Sequence, residues 1–177
     1  KERVEIEKEG RAQMIKTRFE IDSTLKSLKE FNGTKEQEKA KVEELNRKYG
    51  ESFGYYNTIA EWYDVLLQKG EAYIQMRFLQ AKVQALINKA TEADEQVNTL
   101  QATPADKVKG ATGGFGRWMA KVGGAQMGIL PSEMDREVDK SNEKVKARLV
   151  QAAREQREAF LDEAKKLVED IADLGKE

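Results

Sequence analysis

Apolar residues recur at helical spacing along most of the chain. From Asn57 to Ala102, Ile59, Trp62, Leu66, Tyr73, Met76, Val83 and Ile87 follow one another mainly at three-, four- and seven-residue steps, which lines them along one face of an α-helix. No proline interrupts this stretch, and Gly70 is its only glycine. At 1.5 Å of rise per residue such a helix runs for roughly 70 Å. A rod of that length predicts a scaffold rather than a pocket.

The same pattern sets out the remaining elements. A first helix is predicted from Lys1 to Phe31, with Met14, Ile21 and Leu28 seven residues apart and Ile15, Phe19 and Leu25 beside them, as in a short coiled-coil seam. Val4 and Ile6 stand among charges, so the start is expected to fray, and Gly10 costs roughly 1 kcal/mol of helix propensity. Asn32-Gly33 breaks the helix. Thr34 and Gln37 form a capping box that opens a second helix, Lys35 to Tyr49. Only Val42 and Leu45 are clear core positions there, so this helix is expected on the outside of its neighbours, folded back as an antiparallel hairpin. The sequence GESFGYY, residues 50–56, is the next break, and Asn57 is the expected N-cap of the long helix.

Thr103-Pro104 should end the long helix. Residues 104–131 then read as a crossover: seven of the thirteen glycines fall between Gly110 and Gly128, among Phe115, Trp118, Met119, Val122, Met127, Ile129 and Leu130. This stretch is too apolar for a plain linker and too rich in glycine for a good helix. Pro131-Ser132 begins a last helix, with Ser132 as its cap, ending at Leu174 before Gly175 as the C′ residue. Its seam is Val138, Val145, Leu149, Phe160, Leu167, Ile171 and Leu174, with Ala152 and Ala153 permitting close approach of a neighbour. The predicted fold is all-α: an elongated antiparallel coiled-coil helical bundle with two helices of about forty residues or more. It divides into a hairpin plus long helix (1–103), the crossover (104–131) and a C-terminal helix packing back on the bundle (132–177).

Composition narrows the function. Charged residues make up 36% of the chain, yet 31 basic and 32 acidic side chains leave a net charge of −1. A broad nucleic-acid footprint needs a basic excess, so specific nucleic-acid binding is not expected. There are no histidines and no cysteines. That excludes histidine acid–base chemistry, Ser-His triads, histidine-ligated metals and disulfides within this sequence. Gly113-Gly114-Phe115-Gly116 is not followed by the Lys-Ser/Thr of a phosphate loop and has no strand context. The acidic pairs Glu43-Glu44, Asp162-Glu163 and Glu169-Asp170 have lysine or arginine nearby and read as solvated helix faces. No catalytic, cofactor-binding or metal-binding residue is expected, and no small-molecule substrate. Lys1 is not an initiator Met, and Glu177 follows a helix without an obvious end, so the chain is expected to be part of a longer polypeptide.

Two sets of residues carry what function the sequence suggests. Ile59, Trp62, Leu66, Met76, Val83 and Ile87 are expected to pack and self-associate. Phe115, Trp118, Met119, Ile129 and Leu130 are the candidates for contact with a partner or a membrane, the alternative being a crossover that packs these side chains over the bundle. Six of the thirteen aromatics lie within residues 49–63, either as a hydrophobic plug or as a partner-binding cluster.

The segment LNRKYGESFGYYNTIAEWYDVLLQKGEAYIQMRFLQAKVQALINKATEADE, Leu45 to Glu95, followed by ATPADKVKGATGGFGRWMAKVGG and a charged helix, resembles tail tape-measure proteins of phages and prophages of gut bacteria. The resemblance covers Leu45 to Leu174 in order of elements, and its aromatic-centred part is the most specific. It implies a long, helical, non-enzymatic virion component that sets tail length, takes part in tail assembly and acts during genome delivery. It implies location in the virion tail, or in the host cytoplasm during assembly. Its implied partners are the chain itself, other tail proteins and assembly chaperones, with membrane contact through residues 110–130. Hydrolase modules that some relatives carry elsewhere have no counterpart in these residues. A peripheral coiled-coil membrane scaffold is the alternative, and the even interleaving of charge weighs against it.

Overall fold

The computed structural model describes residues 2–126 and 129–174, and the backbone alone at residues 115, 122, 123, 125 and 126. The fold is all-α. Among the described residues five α-helices follow in order: α1 (Glu2–Lys29), α2 (Lys35–Phe53), α3 (Ile59–Ala102), α4 (Gly114–Gln126) and α5 (Pro131–Leu174), with a 3-10 turn at Ala105–Lys107. No strand occurs among the described residues. Both α3 and α5 are 44 residues long. The chain forms two compact units, Lys1–Ala85 with Ala164–Glu177, and Leu86–Glu163.

In the first unit, Ile21 and Leu28 of α1, Val42, Leu45, Tyr49 and Phe53 of α2, and Trp62, Val65, Leu66 and Ile74 of α3 make one apolar cluster, edged by Met14, Leu25, Tyr56, Ile59, Tyr63 and Tyr73. Two close approaches bring α1 against α3. The ring of Phe78 and the stem of Lys82 lie over Gly10, where a Cβ would sit 2.8 Å from each. Ile21 lies over Gly70, 3.2 Å from where its Cβ would be. Gly10 is therefore buried by a neighbour that needs the missing side chain, which offsets its propensity cost. Lys82 pairs with Glu7, and Arg18 with Glu71 at 2.7 Å.

The helix ends differ from the sequence pattern in instructive ways. α1 is helical from Glu2, and Ile6 is buried, so the start does not fray. Ile15 and Phe19 face out, because the buried line runs through Ile6, Gly10, Thr17, Ile21 and Leu28. The Thr34–Gln37 capping box is present. α2 continues four residues past Tyr49, through the buried Gly50 to Phe53, and its core face is larger than Val42 and Leu45 alone. It stops at Gly54, whose φ of +95° is a conformation L side chains rarely adopt. The N-cap of α3 is Thr58 rather than Asn57. Thr58 Oγ1 accepts the Glu61 N–H at 3.2 Å, and the Glu61 carboxylate accepts from the Asn57 and Thr58 amides at 3.0 Å each. α5 begins with Pro131 in its first turn, where a missing N–H costs nothing, so Ser132 lies inside the helix instead of capping it. The proposed C′ residue, Gly175, lies outside the described residues.

In the second unit, Leu86, Ala90, Ala93 and Val97 of α3 and Val138, Ala153 and Phe160 of α5 are buried. Small alanines on both helices allow close packing. Arg157 pairs with Asp94 at 2.7 Å, and the Lys146 ammonium donates to the Gln101 carbonyl at 3.0 Å.

Candidate interaction surface

The long-helix residues singled out by the sequence take different positions. Trp62 and Leu66 are buried, Ile59 edges the cluster, and Met76 and Val83 are half-buried. Ile87 is 41% exposed, while its neighbour Leu86 is fully buried. The buried line does not keep one face along the helix. Ile87 lies within about 20° of Trp62 at 100° per residue and is exposed, while the buried second half, Leu86, Ala90, Ala93 and Val97, follows steps of four, three and four on another face. Ile74, Ala85, Ala90, Ala93 and Val97 belong to the buried line and were not in the sequence-derived set. Alanine carries little weight in an apolar pattern, which hides the second half of the seam.

The aromatics between residues 49 and 63 mostly form core. Trp62 meets the rings of Tyr49, Phe53 and Tyr56 with centroids 6.3, 6.4 and 5.2 Å away, and Tyr73 closes the group against Phe53 at 5.0 Å. Burial pushes the Tyr73 hydroxyl pKa up. Tyr55 alone in this group points well into solvent. Phe53, Tyr73, Met76 and Leu174 line a groove beside the cluster.

The α2–α3 and α3–α4 linkers are held by the same device, which the sequence reading did not find. Asn46 of α2 accepts the Tyr56 N–H at 3.0 Å and donates to the Tyr56 carbonyl at 2.9 Å. Asn142 of α5 accepts the Thr112 N–H at 2.7 Å and donates to the Thr112 carbonyl at 3.1 Å. Each asparagine thus matches both backbone groups of one linker residue, much as a strand neighbour would. Asn142 is buried, and the aspartates and asparagines of polar helices give no signal that separates such a residue from surface ones.

Residues 104–131 are where the structure departs furthest from expectation. They contain the helix α4, although four of its thirteen residues are glycine. Its basic side chains face α5: Arg117 pairs with Asp139, and Lys121 with Asp135 at 2.8 Å. Two of its apolar side chains, Trp118 and Met119, face away. Trp118 is 57% and Met119 51% exposed, whereas the Arg117 side chain is 27% exposed. Ile129 and Leu130 are also exposed. The crossover therefore does not pack Trp118 and Met119 over a core. The Phe115 side chain and Met127 lie outside the described residues.

Among the described residues, no group of three or more acidic, histidine or cysteine side chains is placed to hold a metal ion. No helix there is long and apolar enough to cross a membrane. Comparison with family models, with curated proteins and with solved structures returned no match to this chain.

Proposed function

We propose that the chain is a non-enzymatic structural segment of a phage tail tape-measure protein, working through helix–helix packing with itself, with tube subunits or with assembly chaperones. The observation that carries this reading is the pair of uninterrupted 44-residue helices, since an α-helix fixes length per residue at about 1.5 Å. The sequence likeness over Leu45 to Leu174 supports it. We read the arrangement as an antiparallel bundle: ascending α1 from Glu7 to Arg18 descends α3 from Lys82 to Glu71, and ascending α3 from Asp94 to Gln101 descends α5 from Arg157 to Lys146.

The test is a length change in phage. Duplicating 36 residues of α3, ten full turns, keeps helical phase and adds about 54 Å of helix. Tails measured by electron microscopy should lengthen in proportion to the duplication. Infectious particles with unaltered tails would refute the ruler role.

A further inference from the structure

The α1–α2 connection, residues 30–34, holds two groups that can react with each other. Asn32 and Gly33 are exposed there and lie outside both helices. Among the described residues, neither the Asn32 side-chain amide nor the Gly33 N–H makes a hydrogen bond. The Gly33 nitrogen is therefore free to approach the Asn32 side-chain carbonyl carbon, and glycine brings no Cβ to crowd the attack. The other asparagines are guarded. Six occur in the sequence, and only Asn32 is followed by glycine. Asn46, Asn88, Asn98 and Asn142 lie inside helices, where the next residue's N–H is committed to the carbonyl four residues before it. Asn57 is followed by Thr58, whose N–H donates to the Glu61 carboxylate at 3.0 Å. The fold also keeps position 33 a glycine. A Cβ there would lie 2.6 Å from the Phe31 ring and 2.7 Å from Gln37 Oε1, the atom that accepts the Thr34 N–H at 2.8 Å in the capping box. A larger residue would slow the attack but displace both the ring and the cap.

We infer that Asn32 is a site of spontaneous deamidation and backbone isomerisation. The Gly33 nitrogen bonds to Asn32 Cγ and gives up its proton, and the side-chain nitrogen departs as ammonia, leaving a five-membered succinimide. Water then adds to one of the two ring carbonyls and opens the ring. One opening gives aspartate. The other gives isoaspartate, with the backbone rerouted through the side-chain carbon. No oxidant or reductant is needed, and water is the only co-reactant. Each product carries a new negative charge near the N-terminus of α2, where the helix dipole favours it. Isoaspartate also lengthens the connection by one carbon between two anchored points, the Phe31 N–H on the Leu28 carbonyl at 3.3 Å and the Thr34 N–H on Gln37. This inference stands on the linker geometry and does not rest on the tape-measure reading.

The 177-residue chain is incubated at mildly alkaline pH, folded in buffer or unfolded in guanidinium chloride, and its tryptic peptides are followed by mass spectrometry. The peptide Glu30–Lys35 should gain one dalton and accept methyl groups from S-adenosylmethionine with protein isoaspartyl methyltransferase. Its rate in the folded chain should stay within about tenfold of the unfolded rate, because an exposed connection without hydrogen bonds needs little opening. Peptides carrying the other asparagines should stay unmodified in the folded chain over the same period. Asn32→Gln, which would have to close a six-membered ring, should abolish the gain and leave helicity unchanged. A folded rate more than about tenfold below the unfolded one would overturn the inference, since the fold would then protect Asn32. So would modification of Asn46 or Asn142 as fast as that of Asn32 in the folded chain.

Discussion

Asn142 offers a quantitative test of how the 103–113 linker is held. Its side chain is 1% exposed and makes two hydrogen bonds to the backbone of Thr112. Asn142→Ala removes both, at a net of about 0.5–1.5 kcal/mol each, and leaves a partly buried N–H and carbonyl seeking partners at about 1–3 kcal/mol. The expected loss is about 2–4 kcal/mol. Asn46→Ala cuts the equivalent pair at Tyr56, but Asn46 is only half-buried, so water can take up the freed groups and the loss should be about 1–2 kcal/mol. Denaturant unfolding gives the totals, and hydrogen exchange at the Thr112 and Tyr56 amides reports each contact directly. Asn142→Asp sharpens the test. Protonated, the acid still donates to the Thr112 carbonyl and accepts from its N–H; ionised, it sets a buried negative charge against that carbonyl. Burial raises its folded-state pKa above the unfolded value of about 3.9. Its stability should therefore approach wild type below about pH 3.9 and be lost as pH rises through the raised folded value. Equal losses for the two alanine variants, or an Asn142→Asp variant indifferent to pH, would refute the account.

Two further outcomes follow from burial and charge. Leu86→Ala should cost about 2–5 kcal/mol and Ile87→Gln less than about 0.5 kcal/mol, though the residues are adjacent; comparable losses in chemical denaturation would show the phase of α3 to be misplaced. Glu61 has its carboxylate pKa lowered by hydrogen bonds, first from the Asn57 amide and then from the Thr58 hydroxyl and amide. Its contribution is present above the unfolded pKa and is lost as pH falls through the depressed folded value, so thermal melts of Glu61→Gln should lack the part of the acid destabilisation that wild type shows there.

The sequence pattern located the long helices because their signals are dense: apolar spacing over 59–102, a capping box at Thr34, proline at 131. It failed where a single residue's neighbour mattered more than its own propensity. α4 is poor in helix formers, yet ion pairs with Asp135 and Asp139 hold two of its cations, and Gly124 accommodates the Met134 side chain, whose Cγ would lie 2.5 Å from an added Cβ. Gly50 looked like a stop and is an interior residue of α2, covered by the Tyr55 ring. Thr58 and Asn57 are both good caps by type, and only the reach of Glu61 decides between them. The candidate surface was legible as a cluster of Trp118, Met119, Ile129 and Leu130, but not its orientation, which depends on acids some twenty residues further along in α5.

The notches at Gly10 and Gly70 have a mechanical consequence. With Phe78 seated over one glycine and Ile21 over the other, sliding α1 along α3 by one turn, about 5.4 Å, would drive each bulky side chain against a Cβ on the opposing helix. The notches sit on opposite helices, so both must be vacated together before either helix can creep. A pull along the axis therefore meets a detent rather than a smooth bearing at the place where α1 and α3 overlap.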